Sequence, residues 1–329
     1  MADVLLSVRD LVVEFPTRRG VLTAIDRVSF GIHEGEVLGV VGESGAGKSL
    51  TGSAIIGLLE PPGRIAGGEI RLGGERIDNL GAEAMRRIRG RRIGVVFQDP
   101  LTSLNPLYTI ARQLVETIRT HMDVGDSEAR ARAVALLDRV GIPAASRRID
   151  DYPHHFSGGM RQRVVIALAL AAEPELVIAD EPTTALDVSV QAQIIDLLKE
   201  ICAERGAAVM LITHDMGVIA ETADRVAVLY AGRLAEIGPV RDVITRAEHP
   251  YTRGLMGSIP TLEGNPDERL VQIPGAMPRL DSIPPGCAFN PRCADVFDRC
   301  RIERPEPIDR GGRRQVACWL YRQAEAARG

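Results

Sequence analysis

Lysine is nearly missing from this chain: only Lys48 and Lys199 carry it, against thirty-eight arginines. Long apolar runs are missing too. The longest, Val164 to Ala172, has nine residues, and a membrane-crossing helix needs roughly twenty. Met1-Ala2-Asp3-Val4 has no basic stretch ahead of an apolar one, so no secretory leader is expected. Nor is there an excess of positive charge. The net charge is −4, which argues against a general nucleic-acid surface. Tandem repeats and low-complexity segments are absent. These absences leave a globular protein, expected in the cytosol, whose link to any membrane runs through a partner. Its 329 residues, 45% hydrophobic and 26% charged, suffice for one large or two modest domains.

In a chain that uses arginine almost everywhere, Lys48 stands where a compact point charge is wanted. It closes Gly42-Glu43-Ser44-Gly45-Ala46-Gly47-Lys48-Ser49, which fits the phosphate-binding pattern G-x-x-x-x-G-K-[ST]. Ahead of it, Val37-Leu38-Gly39-Val40-Val41 reads as a buried strand. Behind it, Leu50 to Leu59 carries Ile55, Ile56, Leu58 and Leu59 and reads as a helix. Strand, glycine loop and helix are the context the motif needs. Backbone N–H groups converge on a phosphate, and the helix N-terminus adds partial positive charge. Lys48 is expected to reach the β- and γ-phosphates, and the Ser49 hydroxyl to bind Mg²⁺.

Short β-rich stretches, Val4–Leu6, Leu11–Val13 and Val28–Phe30, are separated by polar turns. Phe15, in a chain with 4% aromatics, is a candidate to stack on an adenine ring. Ile93 to Phe97 is a further strand ending on Gln98. A turn-rich connector, Asp99 to Pro106, then leads to helical spacing over Ile110–Thr120 and Ser127–Val140, the latter marked by Ala131, Val134, Leu137 and Val140. This is a helical insertion, spanning about residues 100–172. Strand Leu176–Asp180, helix Val190–Glu204, strand Ala208–Ile212, a short helix from Met216 and strand Val226–Tyr230 follow. Alternating strands and helices imply a mostly parallel sheet covered on both faces. Four of five cysteines and half of the twenty prolines fall after residue 245. That shift places a boundary there, giving 1–245 and 246–329.

Four further features carry chemistry. Asp180 and Glu181 end an apolar strand: Asp180 suits Mg²⁺, and Glu181 suits polarising the water that attacks a γ-phosphate. Ser157-Gly158-Gly159 opens a helix and offers anion-binding N–H groups. His214, after the strand 208–212, can donate to a γ-phosphate. The late cysteines, Cys287, Cys293, Cys300 and Cys318, suit zinc or an iron–sulfur cluster, or are buried free thiols. Their spacing is wider than zinc sites favour. Cys202 reads as an ordinary core residue.

The set Gly42–Ser49, Gln98, Ser157-Gly158-Gly159, Asp180-Glu181, Ala185-Leu186-Asp187 and His214 resembles the ATPase subunit of an ABC transporter, over about residues 4 to 245. Phe97 to Pro106, Ala179 to Val188, and the tail pieces His249-Pro250-Tyr251-Thr252, Ile273-Pro274-Gly275 and Pro285-Gly286-Cys287 resemble the dipeptide/oligopeptide importer branch, which also takes nickel and other small solutes. The resemblance implies a P-loop, RecA-like α/β core with an antiparallel β subdomain, a helical insertion and a C-terminal cysteine-rich extension. It implies ATP hydrolysis with Mg²⁺ held through Ser49, Gln98 and Asp180. Glu181, Gln98 and His214 would act in catalysis. Phe15, Gly42, Glu43, Ser44, Gly45, Ala46, Gly47, Lys48, Ser49, Leu50, Gln98 and Asp180 would bind one ATP. Ser157, Gly158 and Gly159 would serve the ATP of a partner cassette, with Asp187 at the seam. In some members the tail carries a 4Fe–4S cluster, which implies that cofactor at Cys287, Cys293, Cys300 and Cys318. Expected partners are a second ATPase subunit in a heterodimer, two transmembrane permeases and a periplasmic or lipid-anchored binding protein, at the cytoplasmic face of the bacterial inner membrane. The signature departs from Leu-Ser-Gly-Gly-Gln, with Phe156 and Met160 flanking Ser-Gly-Gly. A soluble ABC ATPase of DNA repair or translation, and an exporter ATPase, are the alternative classes. One phosphate loop, a short insert and this tail argue against both.

Overall fold

The computed structural model describes residues 3–183, 188–258 and 272–326. The chain begins with strands β1 (Val4–Thr17), β2 (Gly20–His33) and β3 (Val37–Val41), helix α1 (Lys48–Ile55) and strands β4 (Arg64–Leu72) and β5 (Glu75–Arg76). Then come α2 (Ala82–Ile88), β6 (Ile93–Val96), α3 (Pro100–Ser103), α4 (Ile110–His121), α5 (Asp126–Arg139), α6 (Ala145–Arg148), α7 (Gly158–Leu170) and β7 (Leu176–Asp180). The α/β alternation continues with α8 (Val188–Arg205), β8 (Ala208–Ile212), α9 (Met216–Thr222), β9 (Arg225–Tyr230), β10 (Arg233–Pro239), α10 (Val240–Thr245) and α11 (Pro250–Gly257). Past the second gap lie α12 (Asp298–Ile302), β11 (Ile308–Gly311), β12 (Arg314–Val316) and α13 (Trp319–Ala326). The described helices include none long and apolar enough to cross a membrane.

The chain folds as two compact units. The first holds residues 1–5, 32–37 and 73–212. Its sheet segment runs β8-β7-β6, all parallel, with Ile93 opposite Leu176 and Leu176 opposite Ala208. These strands are buried almost throughout, as a sheet covered on both faces requires. A Cβ at Gly94 would lie 2.2 Å from the Ala169 carbonyl, so only glycine lets α7 approach β6 this closely. The helical insertion packs α4, α5 and α7 together. In α5 the buried residues are Ala129, Ala133, Leu136 and Leu137, whereas the three-residue steps of the sequence pointed to Ala131 and Val134. At 3.6 residues per turn a strict three-residue step drifts off the face. Exposed Ala131 and half-exposed Val134 instead line an open groove with Ala144 and Ala145.

The second unit holds residues 6–31, 38–72 and 213–329. Its β2-β1-β4 segment forms a separate sheet in which β1 and β4 are antiparallel, as expected of that subdomain. The polar turn expected between Leu6 and Leu11 is instead a bulge within one fourteen-residue strand. Asp10 takes a left-handed φ of 46°, and its N–H donates to the Ser29 hydroxyl at 2.7 Å. The register against β4 shifts between Arg9 and Val12. A Cβ on Gly68 would meet the Arg9 and Asp10 carbonyls at 2.4 Å, so the bulge is fitted to a glycine opposite it. The remaining strands run β11-β12-β10-β9-β3. Strands β3 and β9 are parallel, while β10, β12 and β11 each add antiparallel. The C-terminal residues thus extend this sheet. Glu236 of β10 is fully buried and pairs with Arg314 of β12 at 2.6 Å.

Candidate nucleotide site

The phosphate loop is built by glycines in the left-handed region, with φ 151° at Gly42, 83° at Gly45 and 101° at Gly47. A Cβ at Gly42 would meet the Leu229 carbonyl at 2.3 Å, and one at Gly47 would meet the Ile25 side chain at 2.6 Å. Bulk is excluded on the packed side while the loop turns its other face outward. Ser44, Gly45 and Ser49 are exposed and Ala46 is buried, with Leu50 half-buried behind them. The Gly232 N–H donates to the Ala46 carbonyl at 2.9 Å, tying the loop to the β9–β10 turn. Lys48, the first residue of α1, is 6% exposed. Its Nζ donates to the Gly42 and Glu43 carbonyls at 2.9 and 3.2 Å, so the cation is held against the first turn of the loop. An exposed nest of N–H groups at a helix N-terminus, with an ammonium at its base, fits a polyphosphate.

Also in the second unit, the Thr213 N–H donates to the Val40 carbonyl at 3.2 Å, which brings exposed His214 beside the end of β3. Phe15 is half-buried, and a Cβ at Gly63 would lie 2.7 Å from its ring.

In the first unit, Asp180 ends β7, Glu181 follows it, and both are half-buried. Glu181 adopts φ 44°, an uncommon conformation for a residue with a Cβ, and its N–H donates to the Ile212 carbonyl at 2.8 Å. The strained turn re-aims the carboxylate, and Gln98 Nε2 donates to Glu181 Oε2 at 3.1 Å. The sequence's amide and general-base candidates therefore meet. Ser157 caps α7, its hydroxyl accepting from the Met160 N–H at 3.4 Å. Ser157 and Gly158 are exposed and Gly159 half-buried. Phe156, by contrast, is a core residue, with the Arg148 guanidinium 4.5 Å over its ring. Ala185, Leu186 and Asp187 lie outside the described residues.

The iron–sulfur expectation is corrected. Among the described residues no group of three or more His, Cys, Asp or Glu side chains is placed to hold a metal ion. Cys287, Cys293, Cys300 and Cys318 are free thiols that line one small cavity with Phe289, Trp319 and Pro305. Burial pushes Cys287 up to about 11 and Cys318 up to about 12. Both are held as neutral thiols at neutral pH. Cys202 is buried in α8 and pushed up to about 12 by its burial, as a core residue should be.

Sequence reasoning missed what stands behind the loop. Glu43 is gripped by Arg292, with Nη1–Oε2 at 2.8 Å and Nη2–Oε1 at 2.9 Å. The Glu43 N–H donates to the Tyr251 hydroxyl at 2.8 Å. Tyr251 is fully buried, and its ring lies 4.6 Å from Tyr230 and 5.4 Å from Phe289 between centroids. The segment His249–Thr252 stood out in the sequence, but nothing local tied it to a loop 208 residues away.

Strand, glycine cradle, buried lysine and helix define a nucleotide-phosphate-binding protein of the P-loop class. Comparison with known proteins narrows it. Residues 25–184 match the family model described as ABC transporter, and residues 235–300 match that described as oligopeptide/dipeptide transporter, C-terminal region. The dipeptide transport ATP-binding protein DppD of Bacillus subtilis is 47% identical over 97% of this chain and 95% of its own length. The oligopeptide transport ATP-binding protein OppD of Mycobacterium tuberculosis is 49% identical over 95% of this chain, which spans 51% of that relative. The solved dimeric ATP-binding cassette MJ0796, bound to ADP and Pi, is 29% identical with a TM-score of 0.65, covering 72% of this chain and 99% of that one. The chain belongs to the ABC transporter family, as an ATPase subunit of the oligopeptide/dipeptide branch. These relatives are described as transport ATP-binding proteins, and nothing in those descriptions restores the cluster.

Proposed function

We propose that this chain hydrolyses ATP to energise import of di- or oligopeptides, as one of two cassettes that close head to tail on a pair of ATP molecules. The observation that carries the reading is the phosphate loop: an exposed N–H cradle on the end of β3 with Lys48 buried at its base. Lys48 would leave the Gly42 and Glu43 carbonyls for the β- and γ-phosphates. Mg²⁺, when bound with ATP through Ser49, Gln98 and Asp180, would neutralise charge developing on the phosphoryl oxygens. Glu181 would hold the attacking water and accept its proton, with the Gln98 amide orienting the carboxylate. His214 would donate to the γ-phosphate, and Phe15 would stack on the adenine. Ser157 and Gly158, exposed at the start of α7, and half-buried Gly159 would act on the partner's nucleotide, with Asp187 at the seam.

The same reading assigns residues 1–245 to the ATPase and 246–329 to an extension. Two permeases, a binding protein and a second, non-identical ATPase would complete the transporter at the cytoplasmic face of the inner membrane. The test is reconstitution of this chain with permeases and binding protein encoded beside it. Peptide-loaded binding protein is expected to raise ATP turnover and peptide uptake together. Stimulation by nickel, an opine or a sugar, with none by peptides, would reassign the solute.

A further inference from the structure

The C-terminal residues grip the phosphate loop through one side chain. Arg292 is 7% exposed and Glu43 27% at their side chains. Besides the paired contacts to Glu43, Arg292 Nε donates to the Pro274 carbonyl at 2.7 Å and Nη1 reaches the Tyr230 hydroxyl at 3.4 Å. Its guanidinium lies 5.8 Å from the Tyr230 ring centre and 5.9 Å from that of Phe289. The Glu43 carboxylate holds the Arg292 guanidinium firmly in its charged form, well above the ordinary arginine range.

Glu43 is the second residue of a loop whose purpose is to gather negative charge. Left unpaired, its carboxylate would repel a polyphosphate gathered by the same loop, and its free side chain would let the loop's first turn wander. Arg292 answers both problems. The two-point contact neutralises the carboxylate and fixes its direction, while Tyr251 takes the Glu43 N–H, so both the backbone and the side chain of that residue are set by C-terminal residues.

We propose that Arg292 is a positioning residue for nucleotide binding: it cancels the Glu43 charge and holds the phosphate loop in its anion-accepting shape, so that ATP affinity depends on the C-terminal region. The inference rests on the reading of Gly42–Ser49 as the ATP site. It assigns a part in that site to residues from a region the ATP motifs do not reach.

Isothermal titration of Mg·ATP into the purified full-length chain tests it. Arg292→Ala is expected to bind ATP on the order of tenfold more weakly, because a carboxylate is left uncompensated near the phosphates. Arg292→Lys keeps the charge but loses the two-point geometry, and should fall between wild type and Arg292→Ala. The deciding variant is the double substitution Arg292→Ala with Glu43→Gln. If Arg292 acts by neutralising Glu43, the second change recovers most of the lost affinity. A loss that persists undiminished in the double variant means that the Glu43 charge is not what Arg292 answers, and overturns the proposal. Equal affinity in wild type and Arg292→Ala overturns it too. Should Arg292→Ala fail to fold, the comparison is made with Arg292→Gln, alone and with Glu43→Gln, under the same criteria. A wild-type chain that binds no ATP would instead remove the functional reading beneath the proposal.

Discussion

At the scale of single residues, Glu181 is the clearest case of a side chain placed by strain. Its left-handed backbone costs on the order of 1 kcal/mol, and the Ile212 carbonyl and the Gln98 amide hold it there. A carboxylate so fixed suits proton acceptance. Glu181→Gln is expected to retain ATP binding while turnover drops about a hundredfold or more; single-turnover hydrolysis beside nucleotide titration separates the two. Near-normal turnover would remove Glu181 from the role of base. Lys48→Ala is expected to show the opposite split, losing binding first, because the phosphates lose their point charge.

His249 shows how burial sets protonation. It is 4% exposed, and burial, aided by the Arg253 charge, drives it down to about 3. Its Nδ1 accepts from the Tyr251 N–H at 3.0 Å, a bond that needs the neutral ring, and the His249 backbone N–H donates to buried Glu236 at 2.9 Å. An unfolded chain protonates this imidazole near pH 6.5. The unfolded state therefore binds the extra proton first, and stability is full above pH 6.5 and lost as pH falls toward 3. At pH 5 the loss from this residue should be on the order of 2 kcal/mol. Denaturant melts at pH 7 and 5 check it: His249→Asn, which keeps a capping acceptor without a titrating ring, should show a shallower acid loss than wild type.

At the scale of elements, α7 does two jobs at once. Its middle, Val164 to Ala167, is buried, while its N-terminus presents Ser157 and Gly158 to solvent. A helix of thirteen residues gives that end a real partial positive charge. If the signature works on the other cassette, Ser157→Arg should abolish turnover at the partner's nucleotide and spare this chain's own phosphate-loop site. Assemblies carrying the change in one subunit at a time report this through site-specific trapping of labelled nucleotide. Failure confined to the mutant's own loop would reject the head-to-tail arrangement.

At the scale of the whole molecule, C-terminal residues form part of the fold of the second unit. Glu236 is buried without solvent contact and is met by Arg314 and by the N–H groups of Glu248 and His249. Removing one member of such a pair strands a buried charge. Arg314→Met is expected to cost about 3–5 kcal/mol, read as a lowered midpoint in urea. Adding Glu236→Leu should return only part of that loss, since it removes the stranded charge but leaves the Glu248 and His249 N–H groups without their acceptor.

The sequence alone determined the local chemistry. G-x-x-x-x-G-K-[ST] can hardly be read otherwise between an apolar strand and a helix, and the apolar runs ending on Asp180 and Ile212 announced buried parallel strands. Those signals are local because glycine conformation, period and strand burial are written within a few residues. The two carboxylates at the end of β7 were legible for the same reason. What the tertiary structure decided were contacts between residues far apart. The bulge at Asp10 depends on Gly68 across the sheet. The grip of Arg292 on Glu43 spans 249 positions. The four late cysteines show the converse: composition brought them together, and burial in a cavity left them as free thiols. All four line one small cavity, yet among the described residues they do not form a metal-holding group, and counting ligands in a sequence cannot tell the two cases apart, because side-chain placement is set by the packing of every segment between them.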